Sequence, residues 1–115
     1  MCPFCDNCEP QLTSNQHAFA IWDATPVSPG HALIISRSHV PTIFDLTPAE
    51  YAACFELLRD VREFLSKEHA TASFHVVVNC GPDANQRVGH AHIHLVPRYK
   101  GENLALTPHV WSSIR

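Results

Sequence analysis

The segment GHAHIHLVPRY, residues 89–99, places a histidine at every second position among apolar residues. Strict alternation over this length predicts a β-strand, because successive side chains of a strand point to opposite faces. His90, His92 and His94 would then share one face, and the apolar residues between them would share the other. We expect the apolar face to pack against the hydrophobic core of the domain.

The spacing of the three histidines limits the metal sites that they can form. A rise of about 3.3 Å per residue places the Cα atoms of neighbouring histidines roughly 6.6 Å apart, and those of the outer two about 13 Å apart. Zinc to nitrogen bonds are only about 2.0–2.1 Å long. A single metal held by all three imidazoles of a regular strand is therefore disfavoured, whereas a site that uses one or two of them stays open.

Two other interpretations of the histidines stay open beside metal binding. A neutral imidazole can attack phosphorus and form a covalent intermediate that water then hydrolyses, provided that its other ring nitrogen is held by a fixed acceptor. Neighbouring imidazoles can bind phosphate oxygens and transfer a proton to a leaving group. The simplest alternative is a half-buried strand whose histidines face solvent.

The rest of the chain has patterns of both strands and a helix. Apolar, β-branched runs predict three further strands, at residues 17–23, 31–36 and 74–78. Thr47, Pro48 and Glu50 form the signature of a helix start, and apolar residues at three- and four-residue steps extend the predicted helix to residues 67–69. Strands and helices do not alternate, so we expect one antiparallel α+β domain over residues 1–115.

Composition narrows the possible partners and location. The chain has 115 residues, is 45% hydrophobic and carries a formal net charge of -3. These values suit one globular domain with a core, and they argue against a surface that binds nucleic acid polymers through clustered Lys and Arg. The sequence has neither a signal peptide pattern nor an apolar run long enough to span a membrane, so we expect a cytoplasmic protein.

The five cysteines fall into two groups. Cys54 and Cys80 lie among apolar residues and are expected to be packing residues. Cys2, Cys5 and Cys8 are close together, and in a reducing compartment they are better explained as metal ligands or free thiols than as disulfides. Each Cys-x-x-Cys pair has the spacing of half a tetrahedral zinc site, so a role for Cys8 is left open.

With these motifs identified, the sequence resembles the histidine triad (HIT) family. The family signature is His-φ-His-φ-His-φ-φ, where φ is apolar, and residues 90–96 match it completely. Residues 29–35 are similar to the family's PGH-x-L-φ-φ strand, and Asn79 to Gln86 to its N-x-G-x-x-x-x-Q loop. Arg37-Ser38-His39 resembles the family's K-x-H. The resemblance implies an antiparallel sheet of about five strands with one long and one short helix.

The resemblance also implies an activity. HIT proteins are nucleotide hydrolases or nucleotidyl transferases, so this chain would attack the α-phosphorus of a purine nucleotide derivative, such as diadenosine tetraphosphate or a nucleoside phosphoramidate. His92 would be the nucleophile that becomes nucleotidylated. His94 would bind the α-phosphate and assist the leaving group, while His90 and His31 would complete the array. The same likeness implies a homodimer.

Seven further residues match substrate-binding positions of the family: Phe4, Ile21, Asp23, Asn79, Gln86, Arg87 and Val88. Phe4 and Ile21 would form the apolar slot for the base, and Asp23 would hold the ribose hydroxyls. The others would lie near the phosphate. Judged without the family, Asp23 is better explained as a residue that enters the turn at Pro26 than as a ligand of the ribose.

This chain departs from the family pattern at two places. Arg87 stands where many members have Ser or Thr, so its guanidinium would either bind a further phosphate or point to solvent. The tail after Gly101 matches no family pattern known to us, which leaves substrate choice open.

Zinc is implied by a further likeness. Some bacterial HIT proteins complete the Cys-x-x-Cys pair with two histidines, which here would be His39 and His90, joining Cys2 and Cys5 in a structural zinc site. Two rival functions remain at this point: a nucleotide-binding module with little turnover, and a small structural zinc protein.

Overall fold

The computed structural model describes residues 2–6 and 8–102, and residues 103–115 of the divergent tail lie outside this range. In chain order the elements are helix α1 (Pro3–Asp6), strands β1 (Ala18–Trp22) and β2 (Ala32–Ser36), helix α2 (Pro48–Glu68), and strands β3 (Ser73–Val77) and β4 (His92–Arg98). Single 3-10 turns at Ile43–Asp45 and Pro82–Ala84 lie between them. Among the described residues, no helix has the length and apolar character needed to cross a bilayer.

The four strands form one antiparallel sheet in the order β1-β2-β4-β3. The fold class predicted from the sequence is confirmed, with one long and one short helix, although the described part of the chain holds four strands rather than about five. The strand that carries His92 and His94 lies inside the sheet between β2 and β3, whereas His90, which the alternation placed on the same strand, lies two residues before its start. On one side, Ile35 and Leu33 of β2 pair with His92 and His94. On the other side, Val77 of β3 pairs with His94.

Helix α2 covers the apolar face of the sheet. Its start agrees with the predicted capping box, since the side chain of Thr47 accepts from Glu50 N at 3.2 Å and the Glu50 carboxylate accepts from Thr47 N at 2.8 Å. Such a cap stabilises a helix by about 1 kcal/mol. Leu57, Val61 and Leu65 of α2 are all 1% exposed or less and belong to one core cluster with residues of the sheet.

The opposite face of the sheet is also buried, which the alternating pattern did not predict. A second apolar cluster forms there, and it consists of Phe4, Phe19, Ile21, Leu33 and Ile35. Phe4 comes from the short helix α1, which therefore lies over the histidine face of the sheet. All seven residues of β4 are buried.

The turn before β2 requires glycine at Gly30. Its φ is +89°, in the region that side chains disfavour, and an added Cβ would lie 3.0 Å from His69 Nε2 and 3.2 Å from Pro97. The hydroxyl of Tyr99 donates to the carbonyl of Pro29 in the same turn. The end of α2 and the end of β4 thus hold the turn that leads into His31.

Candidate active site

His92 has the geometry of an aimed nucleophile. Its Nδ1 lies 2.7 Å from the backbone carbonyl oxygen of His90. A carbonyl only accepts hydrogen bonds, so Nδ1 carries the ring proton and Nε2 keeps the lone pair. The residue is buried, with 3% of its surface exposed. This is the fixed second nitrogen that covalent catalysis requires.

Two further imidazoles, those of His31 and His94, form a pair beside His92. The His94 ring centroid is 5.0 Å from that of His92, and His94 Nδ1 is 3.0 Å from His31 Nε2. The backbone N–H of Val27 donates to His31 Nδ1 at 3.0 Å, so the proton of a neutral His31 sits on Nε2 and points toward His94. Residues 63 positions apart in the sequence meet because β2 pairs with β4.

The simplest alternative above, in which the three histidines face solvent, is wrong. His90, His92 and His94 are 1%, 3% and 0% exposed. Phe4 covers two of them edge-on, with ring centroids 5.7 Å from His90 and 5.0 Å from His92. The alternating pattern did not predict this cover, because Phe4 lies more than 80 residues away, inside the Cys2-x-x-Cys5 motif.

The predicted loop, Asn79 to Gln86, comes shortly before these histidines in the chain. Gln86 closes it with three hydrogen bonds: Oε1 accepts from Gly81 N at 2.7 Å, and Nε2 donates to Pro41 O at 2.6 Å and to Val88 O at 2.9 Å. Asn79 donates to the carbonyl of Asn85 at 3.4 Å within the same loop. The Gln86 side chain therefore fixes the shape of the loop.

An open cavity of about 440 Å³ adjoins this loop. Its lining consists of Cys2, Pro3, His39, Arg87, Val88 and Gly89. The exposed Arg87 Nε lies 3.5 Å from the side-chain oxygen of Asn85, at the limit of a hydrogen bond. Of the predicted substrate residues, Arg87 and Val88 thus line the cavity, while Phe4 and Ile21 belong to the apolar cluster under the triad.

Asp23 lies apart from that cavity, among the imidazoles. Its Oδ2 is 3.3 Å from His31 Nε2 and 3.7 Å from His94 Nδ1, and its side chain is 2% exposed. The turn explanation offered above also holds, since Oδ1 accepts from Thr25 N at 2.8 Å. Sequence reasoning did not predict the contact with His31 and His94, because only strand pairing brings these residues together.

The four predicted zinc ligands converge at one point. Cys5 Sγ lies 3.0 Å from His39 Nδ1, and His90 Nδ1 lies 3.1 Å from His39 Nδ1 and 3.3 Å from Cys2 Sγ. All four ligand atoms are within 4.8 Å of one another. Zinc bonds of about 2.0–2.3 Å place tetrahedral ligand atoms roughly 3.3–3.8 Å apart, so the spacing fits zinc with small adjustments.

The protonation of His90 also suits a metal. Its Nε2 is 2.6 Å from the carbonyl oxygen of Ser36 and therefore carries the proton, which leaves the Nδ1 lone pair directed at the cysteines. Burial lowers the pKa of His90, the hydrogen bond to Ser36 raises it, and His39 lowers it again. Burial and then Cys2 raise the pKa of the Cys5 thiol, a cost that a bound cation would offset.

Backbone groups are the part of the site that the sequence could not show. The carbonyls of His90 and Ser36 and the N–H of Val27 fix the ring protons of His92, His90 and His31, and none of these groups depends on residue type.

Comparison with known proteins agrees with the fold and the histidine array. The family model of the HIT domain matches residues 9–101 of this chain. This chain belongs to the HIT family. A crystal structure of a HIT family protein from Bacillus anthracis is 30% identical, has a TM-score of 0.80 and aligns over 87% of this HIT chain and 74% of its own.

Curated relatives of this HIT protein are longer enzymes. It is 39% identical over 89 residues to a nitrilase and fragile histidine triad fusion protein of Caenorhabditis elegans, which covers 77% of the chain and 20% of the relative. It is 36% identical over 77 residues to a bis(5'-nucleosyl)-tetraphosphatase of Schizosaccharomyces pombe, covering 67% and 42%. A bis(5'-adenosyl)-triphosphatase of Saccharomyces cerevisiae is 34% identical over 91 residues, covering 78% and 44%. This HIT chain thus spans less than half the length of each.

Proposed function

We propose that this HIT protein hydrolyses a purine nucleotide derivative by attack of His92 Nε2 on the α-phosphorus. The observation that carries the proposal is the 2.7 Å contact between His92 Nδ1 and the His90 carbonyl, which leaves Nε2 unprotonated. Attack forms a phosphorus–nitrogen bond and breaks the bond to the leaving group, which takes a proton from His94. Water then cleaves the phosphorus–nitrogen bond and releases the nucleoside monophosphate.

The substrate that we propose is a dinucleoside polyphosphate, with a nucleoside phosphoramidate as the alternative. The names of the tetraphosphatase and triphosphatase relatives support the first. Arg87 at the 440 Å³ cavity adds a cation that suits a further phosphate of the leaving group. Phe4 and Ile21 would contact the base, Asp23 the ribose hydroxyls, and Asn79 with the backbone at residues 86–88 the phosphate.

The test is hydrolysis of diadenosine tetraphosphate, diadenosine triphosphate and adenosine 5'-phosphoramidate by the wild type, His92→Asn and a control, His17→Asn. We expect the wild type and control to hydrolyse at least one compound, and His92→Asn to be slower by at least about 1,000-fold. Turnover by His92→Asn at the wild-type rate would refute the nucleophile. Nucleotide binding without turnover by the wild type would favour a binding module instead.

We further propose that Cys2, Cys5, His39 and His90 hold a structural zinc ion. The convergence of the four ligand atoms supports this, as does the His90 proton held by Ser36. Zinc would tie α1 to the sheet and so keep Phe4 against His92. Thiolate ligands need a reducing compartment, in keeping with the cytoplasmic location that we expect.

Metal analysis of the purified protein tests the zinc proposal. We expect one zinc per chain in the wild type and in Cys8→Ser, and loss of the zinc in Cys2→Ser and Cys5→Ser. A wild type without stoichiometric zinc after expression in zinc-supplemented medium would overturn it. Retention of zinc by the Cys5→Ser variant would show that the ligand set is wrong.

We also propose a homodimer that forms along β3. This strand lies at one edge of the described sheet and exposes 51% of Val76, beside a groove lined by Phe55, Leu58 and Phe74. Unpaired edges and exposed apolar side chains are where strands of a second copy can pair. In light scattering we expect a dimeric mass for the wild type and for Phe44→Asp, and a monomeric mass for Val76→Asp. A monomeric wild type would contradict this.

A further inference from the structure

An open cavity borders the residues that lead into His90. It has a volume of about 440 Å³, and residues 87–89 form one part of its lining. Asp23 is not in this lining and faces His94 instead, with 3.7 Å between Oδ2 and Nδ1. His92 comes between His90 and His94 in the chain. A nucleotide with its α-phosphorus at His92 and its ribose at Asp23 would therefore extend its leaving group toward the cavity.

The size of the cavity distinguishes between the two classes of leaving group in the proposed function. Ammonia, which leaves from a simple phosphoramidate, is about as large as a water molecule and occupies about 30 Å³. The cavity of about 440 Å³ is more than ten times larger. It falls within the range of about 300–1,000 Å³ that is typical of pockets for whole organic ligands. The space therefore fits a leaving group of nucleotide size.

The charge of the cavity favours phosphate. Arg87 is exposed in the lining, and none of the residues that line the cavity is acidic. Arg87 takes part in none of the ion pairs found among residues 2–6 and 8–102. Its Nε is 3.5 Å from the side-chain oxygen of Asn85, a neutral group. The positive charge is therefore available to phosphate oxygens, which a guanidinium can bind in pairs.

Gly89 keeps part of the cavity open. Unlike Gly30, it does not have a positive φ, so its backbone does not require glycine. A Cβ added to Gly89 would have no atom within 4 Å. Neither backbone strain nor crowding therefore explains the glycine, and a larger side chain at this exposed position in the lining would occupy space in the cavity.

We infer that Gly89 and Arg87 are specificity-determining residues that together form a subsite for a nucleoside polyphosphate leaving group. Gly89 leaves room for the polyphosphate chain, and Arg87 binds one of its phosphates. The inference rests on the proposed function and names the leaving group that the site selects over an amine. With diadenosine tetraphosphate, His92 Nε2 bonds to the α-phosphorus as its bond to the bridging oxygen breaks. Adenosine triphosphate then departs with the electron pair of that bond and the proton from His94.

The experiment measures the selectivity between a large charged leaving group and a small neutral one. The kcat/KM for diadenosine tetraphosphate is divided by that for adenosine 5'-phosphoramidate, so that a general loss of catalysis cancels. For the wild type we expect a ratio above one. For Gly89→Leu and Arg87→Gln we expect the ratio to fall at least about 10-fold, through overpacking in the first and loss of a charge-assisted hydrogen bond in the second. Gly89→Ala, which adds less bulk, should give an intermediate ratio.

Two control variants change bulk or charge outside the cavity. Ala84→Leu adds bulk at an exposed position of the same loop, and Lys67→Gln removes a positive charge near the end of α2. Both should keep the wild-type ratio. A wild-type ratio below one, or an unchanged ratio in either Gly89→Leu or Arg87→Gln, would overturn the subsite. If the wild type cleaves neither substrate, the proposed function itself fails, whereas cleavage of both with unchanged ratios refutes the subsite alone.

Discussion

Gln86 is expected to hold the loop beside the triad in its active shape. Its replacement should change both the stability of the protein and the KM for the substrate. The side chain makes three hydrogen bonds, to Gly81 N, Pro41 O and Val88 O, at 2.6–2.9 Å. A typical bond contributes about 1 kcal/mol net, which gives about 3 kcal/mol for the three. The contact with Pro41 is exposed, so water replaces part of it when Gln86 is removed. We therefore expect Gln86→Ala to lose about 2 kcal/mol.

Urea denaturation monitored by Trp fluorescence measures this loss as a shift of the transition midpoint at constant slope. Gln16→Ala is the matched control, because Gln16 is exposed before β1. We expect the control to lie within about 0.5 kcal/mol of the wild type. We also expect the KM of Gln86→Ala to rise, since the backbone at residues 86–88 would no longer be fixed. An unchanged midpoint together with an unchanged KM would refute this role of Gln86.

Three further predictions concern other parts of the fold. Gly30→Ala should lose about 1–2 kcal/mol of stability in the same urea assay, since its φ is +89°, and an unchanged midpoint would contradict the strained turn. Burial raises the pKa of Cys54 to about 11. The thiol of the unfolded chain ionises first, so the free energy of unfolding should fall between pH 9 and about 11, by up to about 1 kcal/mol per pH unit. This fall should be steeper in the wild type than in Cys54→Ala. Parallel slopes for the two proteins would contradict it. A zinc chelator should lower the melting temperature of the wild type and leave that of Cys5→Ser unchanged, and equal shifts in both would contradict the metal site.

The sequence predicted most of the fold because its signals are local. Thr47 and Glu50 defined the start of α2, and the bounds of the strands differ from the prediction by one residue at most ends. The buried histidine face was missed because the alternation of β4 describes one strand, whereas its cover comes from Phe4 and from the neighbouring strands. A period-2 pattern cannot state what packs against each face.

The candidate site, like the fold, was only partly predictable from the sequence. Residue types and spacing were enough to select His92, His94 and the Cys-x-x-Cys pair as sites of chemistry. The backbone carbonyls that fix the tautomers of His90 and His92 have no sequence signature. The approach of Asp23 to His31 and His94 depends on the pairing of β2 with β4 and on the turn after β1, so only the folded structure reveals it.

The most direct test of the nucleophile is the mass of the protein during turnover. The wild type, quenched in base within the first turnover of a diadenosine polyphosphate, should gain the mass of one adenosine monophosphoryl group. Peptide fragmentation should place that group on His92, and His92→Asn should gain nothing. Steady-state hydrolysis with no adduct at any quench time, or an adduct on another histidine, would contradict the account.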